Sequence, residues 1–302
     1  MKSSINQISL YLLLTTLLSC NKDVKKEEPI IGQESTIHKT RDINLNISIL
    51  LDLSDRIDTI KFHNKTMEYY KRDLGYIELI AETFVNHLKV KKVRKMDDRI
   101  ALYFDPEPKN LKINKISKSL KFHITRANAS MDLLDEITPA YVSKSKEIYE
   151  LSIKDRDYIG SDTWGFFKNN VRDFCIENDS RNILIILTDG YMFHKNNLRE
   201  KDHLTTYLTP QYVKSENLNS INWKAKMDQK NYGFLVAEND LSNLDVLVLG
   251  INPIEGNVYE DDLIKEYWQK WFREMKVNYY EVRNAELPSN MKKIISDFII
   301  KH

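Results

Sequence analysis

Glycine is scarce in this chain, with eight among 302 residues, and none forms a phosphate-cradling loop or a Gly-x-Ser-x-Gly elbow. That argues against nucleotide-cradling and α/β-hydrolase chemistry, which both depend on such turns. Cysteine is scarcer still, at two residues, and no His/Cys cluster at zinc spacing stands beside them. Charge of one sign is lacking too: Lys+Arg 45 against Asp+Glu 44 leaves a net +1. The chain as a whole therefore has no electrostatic reason to seek nucleic acid or anionic lipid. Partner choice must come from a local site. What is present is ordinary for a globular protein, 42% hydrophobic and 29% charged, over a length that can bury a substantial core.

The first segment sets an expectation about compartment. Lys2 supplies a positive start, Ile8 to Leu18 is apolar but too short for a bilayer span, and Leu17-Leu18-Ser19-Cys20 follows. This ending resembles the lipobox of bacterial lipoproteins, in which the cysteine is lipidated and becomes the first mature residue. The resemblance implies a signal peptide over 1–19, lipidation at Cys20, a membrane anchor in the cell envelope, and a tether over 20–42. The polar, Lys/Glu-mixed stretch Asn21 to Ser35 suits that tether. With Cys20 lipidated, Cys175 has no intrachain partner, and its place on the apolar face of an expected helix makes it a buried, inert thiol.

From residue 43 onward, strands and helices alternate. Apolar runs at 44–51, 98–104, 182–188, 244–250 and 278–282 read as strands, and the near-continuous Ile/Leu/Val of three of them requires cover on both faces. Met67, Tyr70, Leu74, Ile77, Ile80, Phe84 and Leu88 recur at helical spacing, as do Leu263, Tyr267, Trp271 and Met275. Pro288 starts a terminal helix. The region 109–158 is harder to read: 111–124 is an edge strand or a short helix, and two helices are expected over 127–137 and 139–151, with Thr138 as cap and Pro139 at the first position of the second. The stretch 190–243 is too long for a plain loop in a compact domain, which makes it functional or mobile. The expected fold is α/β, a doubly wound, mainly parallel Rossmann-like sheet with helices on both faces, forming one domain over 43–302 with insertions near 105–158 and 190–243.

Two strands end in aspartate: Asp52, followed by Ser54 and Arg56, and Asp189, inside Thr188-Asp189-Gly190. In an open sheet of this kind ligands gather at the carboxyl ends of the strands, where the strand order reverses. If the two strands flank that point, Asp52, Ser54, the Gly160 to Thr163 loop and Asp189 share one rim. Oxygen donors alone, with carboxylates and hydroxyls mixed, suit a hard cation such as Mg²⁺, with Mn²⁺ or Ca²⁺ as alternatives.

In order and in surrounding pattern, Asp52-Leu53-Ser54-Asp55-Arg56, Gly160-Ser161-Asp162-Thr163 and Leu187-Thr188-Asp189-Gly190 resemble the three loops of the metal-ion-dependent adhesion site of von Willebrand factor A-type domains. The resemblance implies a cation held by Asp52 and Ser54, by Ser161 or alternatively Thr163 with Asp162 beside it, and by Asp189. It implies a non-enzymatic module that binds a protein partner through a carboxylate of that partner. One departure stands out: the family's second serine in loop one is Arg56 here, and a guanidinium cannot ligate a cation. Arg56 either swings outward, with water in its place, or lies across Asp52 and Asp189 as a counter-ion to a metal-free site.

Two rival readings stay open. A metal-assisted phosphohydrolase could use the same carboxylates with an arginine, although loop one carries Ser54 where an Asp-x-Asp phosphotransferase needs its second aspartate. A structural scaffold with a vestigial, arginine-plugged site is the other. Taken singly, Asp52 reads as a turn residue, Ser54 and Ser161 as caps, and Asp162 as a partner of a helix dipole. His194 and the Lys195 to His203 charge run read as solvated loop, and Trp268 and Trp271 as core.

Overall fold

Asn44–Leu51 (β1), Ser180–Leu187 (β4) and Leu244–Ile251 (β5) are buried along almost their whole length, as their apolar runs require. With Asp97–Tyr103 (β2), Phe122–Thr125 (β3) and Tyr279–Asn284 (β6) they form a six-stranded sheet in the order β6-β5-β4-β1-β2-β3. All pairings are parallel except that of β3 with β2, which is antiparallel. The computed structural model that establishes this describes residues 42–158, 160–254 and 256–301. The expected signal peptide and Cys20 lie outside the described residues.

Helices cover both faces, so the doubly wound class read from the sequence is the observed one. On one face Tyr69–Val90 (α1) packs against Met131–Asp155 (α3) and Pro288–Lys301 (α7), with Leu111–Lys118 (α2) beside α3. Their apolar stripes meet Ile47, Ile49, Ile183, Ile185 and Leu247 in one core. The other face receives Thr163–Asn169 (α4), Val171–Cys175 (α5) and Glu260–Glu274 (α6) over Leu184, Ile186, Val246 and Val248. Adjacent residues of one strand thus feed two cores, which is the period-two geometry of a strand. The chain moves from β1 outward through β2 and β3, then returns to the opposite side of β1 as β4. Strand order reverses between β1 and β4. Among the described residues no helix is long and apolar enough to cross a membrane.

Several sequence expectations change in detail. Residues 131–155 form one helix through Pro139, not two, and Ser130, whose hydroxyl accepts from the Leu133 amide at 3.2 Å, is the cap in place of Thr138. Proline deprives the Asp135 carbonyl of its helical donor, but Asp135 is exposed and water can serve it. The 111–124 segment is both things at once, helix α2 and then the antiparallel edge strand β3. The 190–243 stretch is neither plain loop nor loose. It carries two short helices, Pro210–Ser215 and Trp223–Lys230, and a small sheet of 200–201, 204–205 and 233–234. Tyr212, Val213, Met227, Tyr232 and Phe234 seat it on Trp268, Trp271 and Phe272 of α6, whose indoles are fully buried. Trp164 and Trp271 both donate to the Leu235 carbonyl, at 2.8 and 2.9 Å. Cys175 is buried, and burial pushes its thiol up to about 12, so it is inert.

The amino edge of the sheet is closed by a buried ion pair. Asp98 of β2 accepts from the Leu45 amide at 2.8 Å and from Lys91 at 2.8 and 3.0 Å, and both charged side chains are fully buried. Burial alone would raise the Asp98 carboxyl, but His87, Lys91 and the Leu45 amide outweigh it and hold the group below its ordinary range. A depressed folded pKa contributes stability above the unfolded value of about 4, and that contribution is lost as pH falls through the folded one. Asp98→Asn is expected to cost about 3–5 kcal/mol at neutral pH by leaving Lys91 buried without its partner. In urea titrations the gap between parent and variant should narrow below about pH 4; a gap that is absent or independent of pH would refute the assignment.

Candidate functional site

The site begins where β1 and β4 stop. The Asp52 amide still bonds the Leu187 carbonyl at 3.0 Å and the Thr188 amide the Leu249 carbonyl at 3.1 Å, after which the two chains part. Asp52 is 2% exposed. One of its carboxylate oxygens accepts from the Ser54 amide at 2.8 Å, and the other accepts from the Thr188 hydroxyl at the same distance. The carboxylate is therefore oriented from both strands. Ser54 makes no side-chain cap to the 55–57 turn. Past Thr188, Gly190 turns with φ 97°, and a Cβ there would fall 2.5 Å from Ile264 and 2.7 Å from Ile251, so only glycine fits the turn that follows Asp189.

Asp189 accepts from the Tyr191 amide at 3.0 Å. Burial and the neighbouring Asp52 carboxylate push it up to about 7, against the opposing pull of Arg56 and that amide. Two neighbouring carboxylates on one cleft wall form a site whose repulsion a proton or a cation can relieve.

The second loop arrives from the short pairing of 160–161 with 193–194. Ser161 is buried, its hydroxyl 3.1 Å from that of Thr163. Asp162 turns away: one oxygen caps α4 through the Gly165 amide at 2.8 Å and accepts from Asn197 at 2.6 Å, and the other lies 3.5 Å from His194. His194 is thus half-buried against a carboxylate and is not a solvated loop residue. Asp52, Ser54, Ser161 and Asp189 line one cleft of about 1300 Å³, whereas Asp162 and Thr163 lie behind its wall.

Arg56 is buried and points inward, forming part of the cleft's lining. Its Nε donates to the Asp52 carbonyl at 3.1 Å, and one terminal nitrogen donates to the Leu187 carbonyl at 3.0 Å and to Asp73 at 2.5 Å. The Asp52 carboxylate is more distant, at 3.8 Å. Asp73, on α1, also accepts from the Tyr149 hydroxyl of α3 at 2.9 Å. Burial works against the Arg56 charge, but Asp73 and then Asp52 outweigh it and raise its pKa. The guanidinium neither swings to solvent nor spans Asp52 and Asp189. Its nearest carboxylate is one that sequence reasoning missed. Asp73 did leave a signal, since it falls three residues after Tyr70 and four before Ile77, a charge on the buried stripe of α1.

Among the described residues no three His, Cys, Asp or Glu side chains gather as a metal cluster. The Asp55 and Asp157 carboxylates that line the cleft are paired with Lys61 and Lys109, and its further oxygen donors include the carboxylates of Asp52 and Asp189 and the hydroxyls of Ser54 and Ser161. They fit an ion that binds through one or two carboxylates and keeps several waters, the habit of Mg²⁺. Each carboxylate retains lone pairs beyond those taken by the Thr188 hydroxyl and the Ser54 and Tyr191 amides.

No family model and no curated protein matches the chain. Among solved structures, an aerotolerance-related membrane protein from Bacteroides fragilis NCTC 9343, with multiple mutations to serines, is 12% identical at a TM-score of 0.39, covering 86% of this chain and 100% of that one. The pilus adhesin SpaC from Lactobacillus rhamnosus GG is 10% identical at a TM-score of 0.38, over 85% of this chain and 31% of the adhesin. Likeness at this distance assigns neither family nor function.

The pairing of Arg56 can be measured directly. Arg56→Met and Asp73→Leu should each cost about 3–5 kcal/mol in chemical denaturation, because each strands a buried charge. The double variant should cost clearly less than their sum, with a coupling of about 1–3 kcal/mol. Additive losses would mean that the two side chains do not act as a pair.

Proposed function

We propose that this chain is a von Willebrand factor A-type binding module, held to the cell envelope by lipid on Cys20, which engages a protein partner through a divalent cation in the cleft. The observation that carries the proposal is the convergence of Asp52, Ser54, Ser161 and Asp189 on one cavity where the strand order reverses. Asp52 and Asp189 would hold the ion, with Ser54 and Ser161 adding neutral oxygens. Bound there, Mg²⁺ supplies a Lewis-acidic position that accepts an anionic oxygen from the partner. Asp52 is aligned for this by Thr188, and Ser161 by Thr163.

Arg56 stands where the family has its second serine, but its guanidinium pairs with Asp73 at 2.5 Å and lies farther from Asp52, at 3.8 Å. Two carboxylates therefore remain to attract a cation. The direction of β1 supports an anchored role. Its eight residues run roughly 26 Å from Asn44 to the cleft edge, so a tether preceding residue 43 joins the pole opposite the cleft. A lipid-held chain would then present the cleft away from the membrane.

Isothermal titration of the full-length protein in detergent should give single-site Mg²⁺ binding, lost in Asp52→Ala and in Asp189→Ala. Saturating the ion at about 100 times its Kd should add about 2.7 kcal/mol of stability, which chelator removes. A parent protein that gives neither heat nor thermal shift with Mg²⁺, Mn²⁺ or Ca²⁺ would eliminate the cation from the mechanism.

A further inference from the structure

The cleft carries more than its four oxygen donors. Several basic side chains stand at its mouth, and their pairing differs. Lys61 is matched by Asp55 at 3.1 Å and Lys109 by Asp157 at 2.9 Å. Arg156 and Lys195 line the same cleft, both exposed, and neither makes an ion pair among the described residues. The charge of Arg156 reaches the Asp58 carboxyl only as a minor influence. Arg156 is fixed by its backbone: it ends α3 with φ 52°, its amide bonded to the Ser152 carbonyl at 3.1 Å. Lys195 follows the 193–194 strand in a turn closed by the Asn197 amide on the His194 carbonyl at 2.9 Å.

Apolar side chains share this mouth. Phe193 is 44% exposed and Ile254 is 46% exposed. Ile254 is nonetheless held, since its amide donates to the Tyr191 hydroxyl at 3.2 Å, and that hydroxyl donates to buried Glu260 at 2.5 Å. Large apolar side chains lining one cleft with two unmatched cations suit an occupant that is both anionic and apolar. The cavity, at about 1300 Å³, exceeds the 300–1,000 Å³ usual for small-molecule sites.

Resting on the protein-binding reading above, we propose that the occupant is an extended acidic segment of the partner, with apolar side chains between its carboxylates. One carboxylate meets the Asp52/Asp189 site, others pair with Arg156 and Lys195, and an apolar side chain covers Phe193 and Ile254. The charges agree with this. A divalent ion cancels Asp52 and Asp189, Asp73 cancels Arg56, and what remains unmatched at the mouth is the positive charge of Arg156 and Lys195. A basic segment would meet repulsion there, and a neutral glycan would leave the apolar pair uncovered.

The test uses the full-length protein, fluorescence anisotropy, a labelled peptide alternating Glu and Phe, and its counterpart with Lys for Glu. In Mg²⁺ the Glu–Phe peptide should bind and the Lys–Phe peptide should not. The double variant Arg156→Glu/Lys195→Glu should weaken the Glu–Phe peptide by about tenfold or more, and added salt should weaken it in the parent. Mg²⁺ itself should bind that variant at least as tightly, because nearby positive charge has been removed. Equal binding of both peptides, or acidic binding indifferent to the charge reversal, overturns the inference. Mg²⁺ binding without any peptide binding also overturns it while leaving the cation reading intact. Reversal-sensitive peptide binding that persists in chelator upholds the acidic partner and removes the cation.

Discussion

Parallel pairing between β1 and β4 is the constraint from which both the core and the cleft follow. Because the two strands run the same way, their carboxyl ends lie side by side, and Asp52 and Asp189 emerge as neighbours from segments well over a hundred residues apart. Because both strands are central, every second side chain feeds one of two cores, and neither strand can slip by one residue without exchanging them. The chain must then cross from β3 back over the sheet to reach β4, so strand order reverses at the β1/β4 ends, where the cleft opens. A cleft at this position is a consequence of topology before any side chain is chosen.

The side chains chosen there would repel one another if left alone. Asp52, Asp73 and Asp189 lie at one pole, the first two buried and the third half-buried, and the buried cation whose charge pairs among them is Arg56. Its position decides which carboxylates stay available. By pairing at 2.5 Å with Asp73 and lying 3.8 Å from Asp52, it neutralises the carboxylate that faces the core and leaves those facing the cleft. Its bonds to the Asp52 and Leu187 carbonyls also tie loop one to the end of β4. Arg56 therefore braces loop one against the end of β4.

What could be read from the sequence follows from what is local. The fold class, the buried strands and the helical stripes of α1 and α6 were legible because period and apolarity are properties of neighbouring residues. The helix through Pro139 was not, since whether a proline stops a helix depends on who serves the orphaned carbonyl, and Asp135 happens to face solvent. The packing of 190–243 onto α6 was hidden because its apolar residues follow no single period and find their partners only in three dimensions. At the site, the common rim of Asp52, Ser54, Ser161 and Asp189 could be anticipated from strand ends. The outward turn of Asp162 toward Asn197 and His194 could not, because a capping aspartate and a rim aspartate look alike in one dimension.

Helix α1 connects the two ends of this arrangement. Its 22 residues extend about 33 Å, somewhat more than β1 beneath it, and the two run in opposite directions. Near its start Asp73 holds Arg56 at the cleft, and just past its end Lys91 holds Asp98 at the entry of β1. Each contact is a buried pair that also grips β1 backbone or the loop following it, through the Asp52 carbonyl at one pole and the Leu45 amide at the other. Buried pairs of this kind are weak sources of net stability, but breaking one is costly, so they resist sliding of helix against strand. The position of Asp52 is thereby referred to the opposite pole of the domain, and a binding site whose donors must be in place before a ligand arrives gains from that fixed reference.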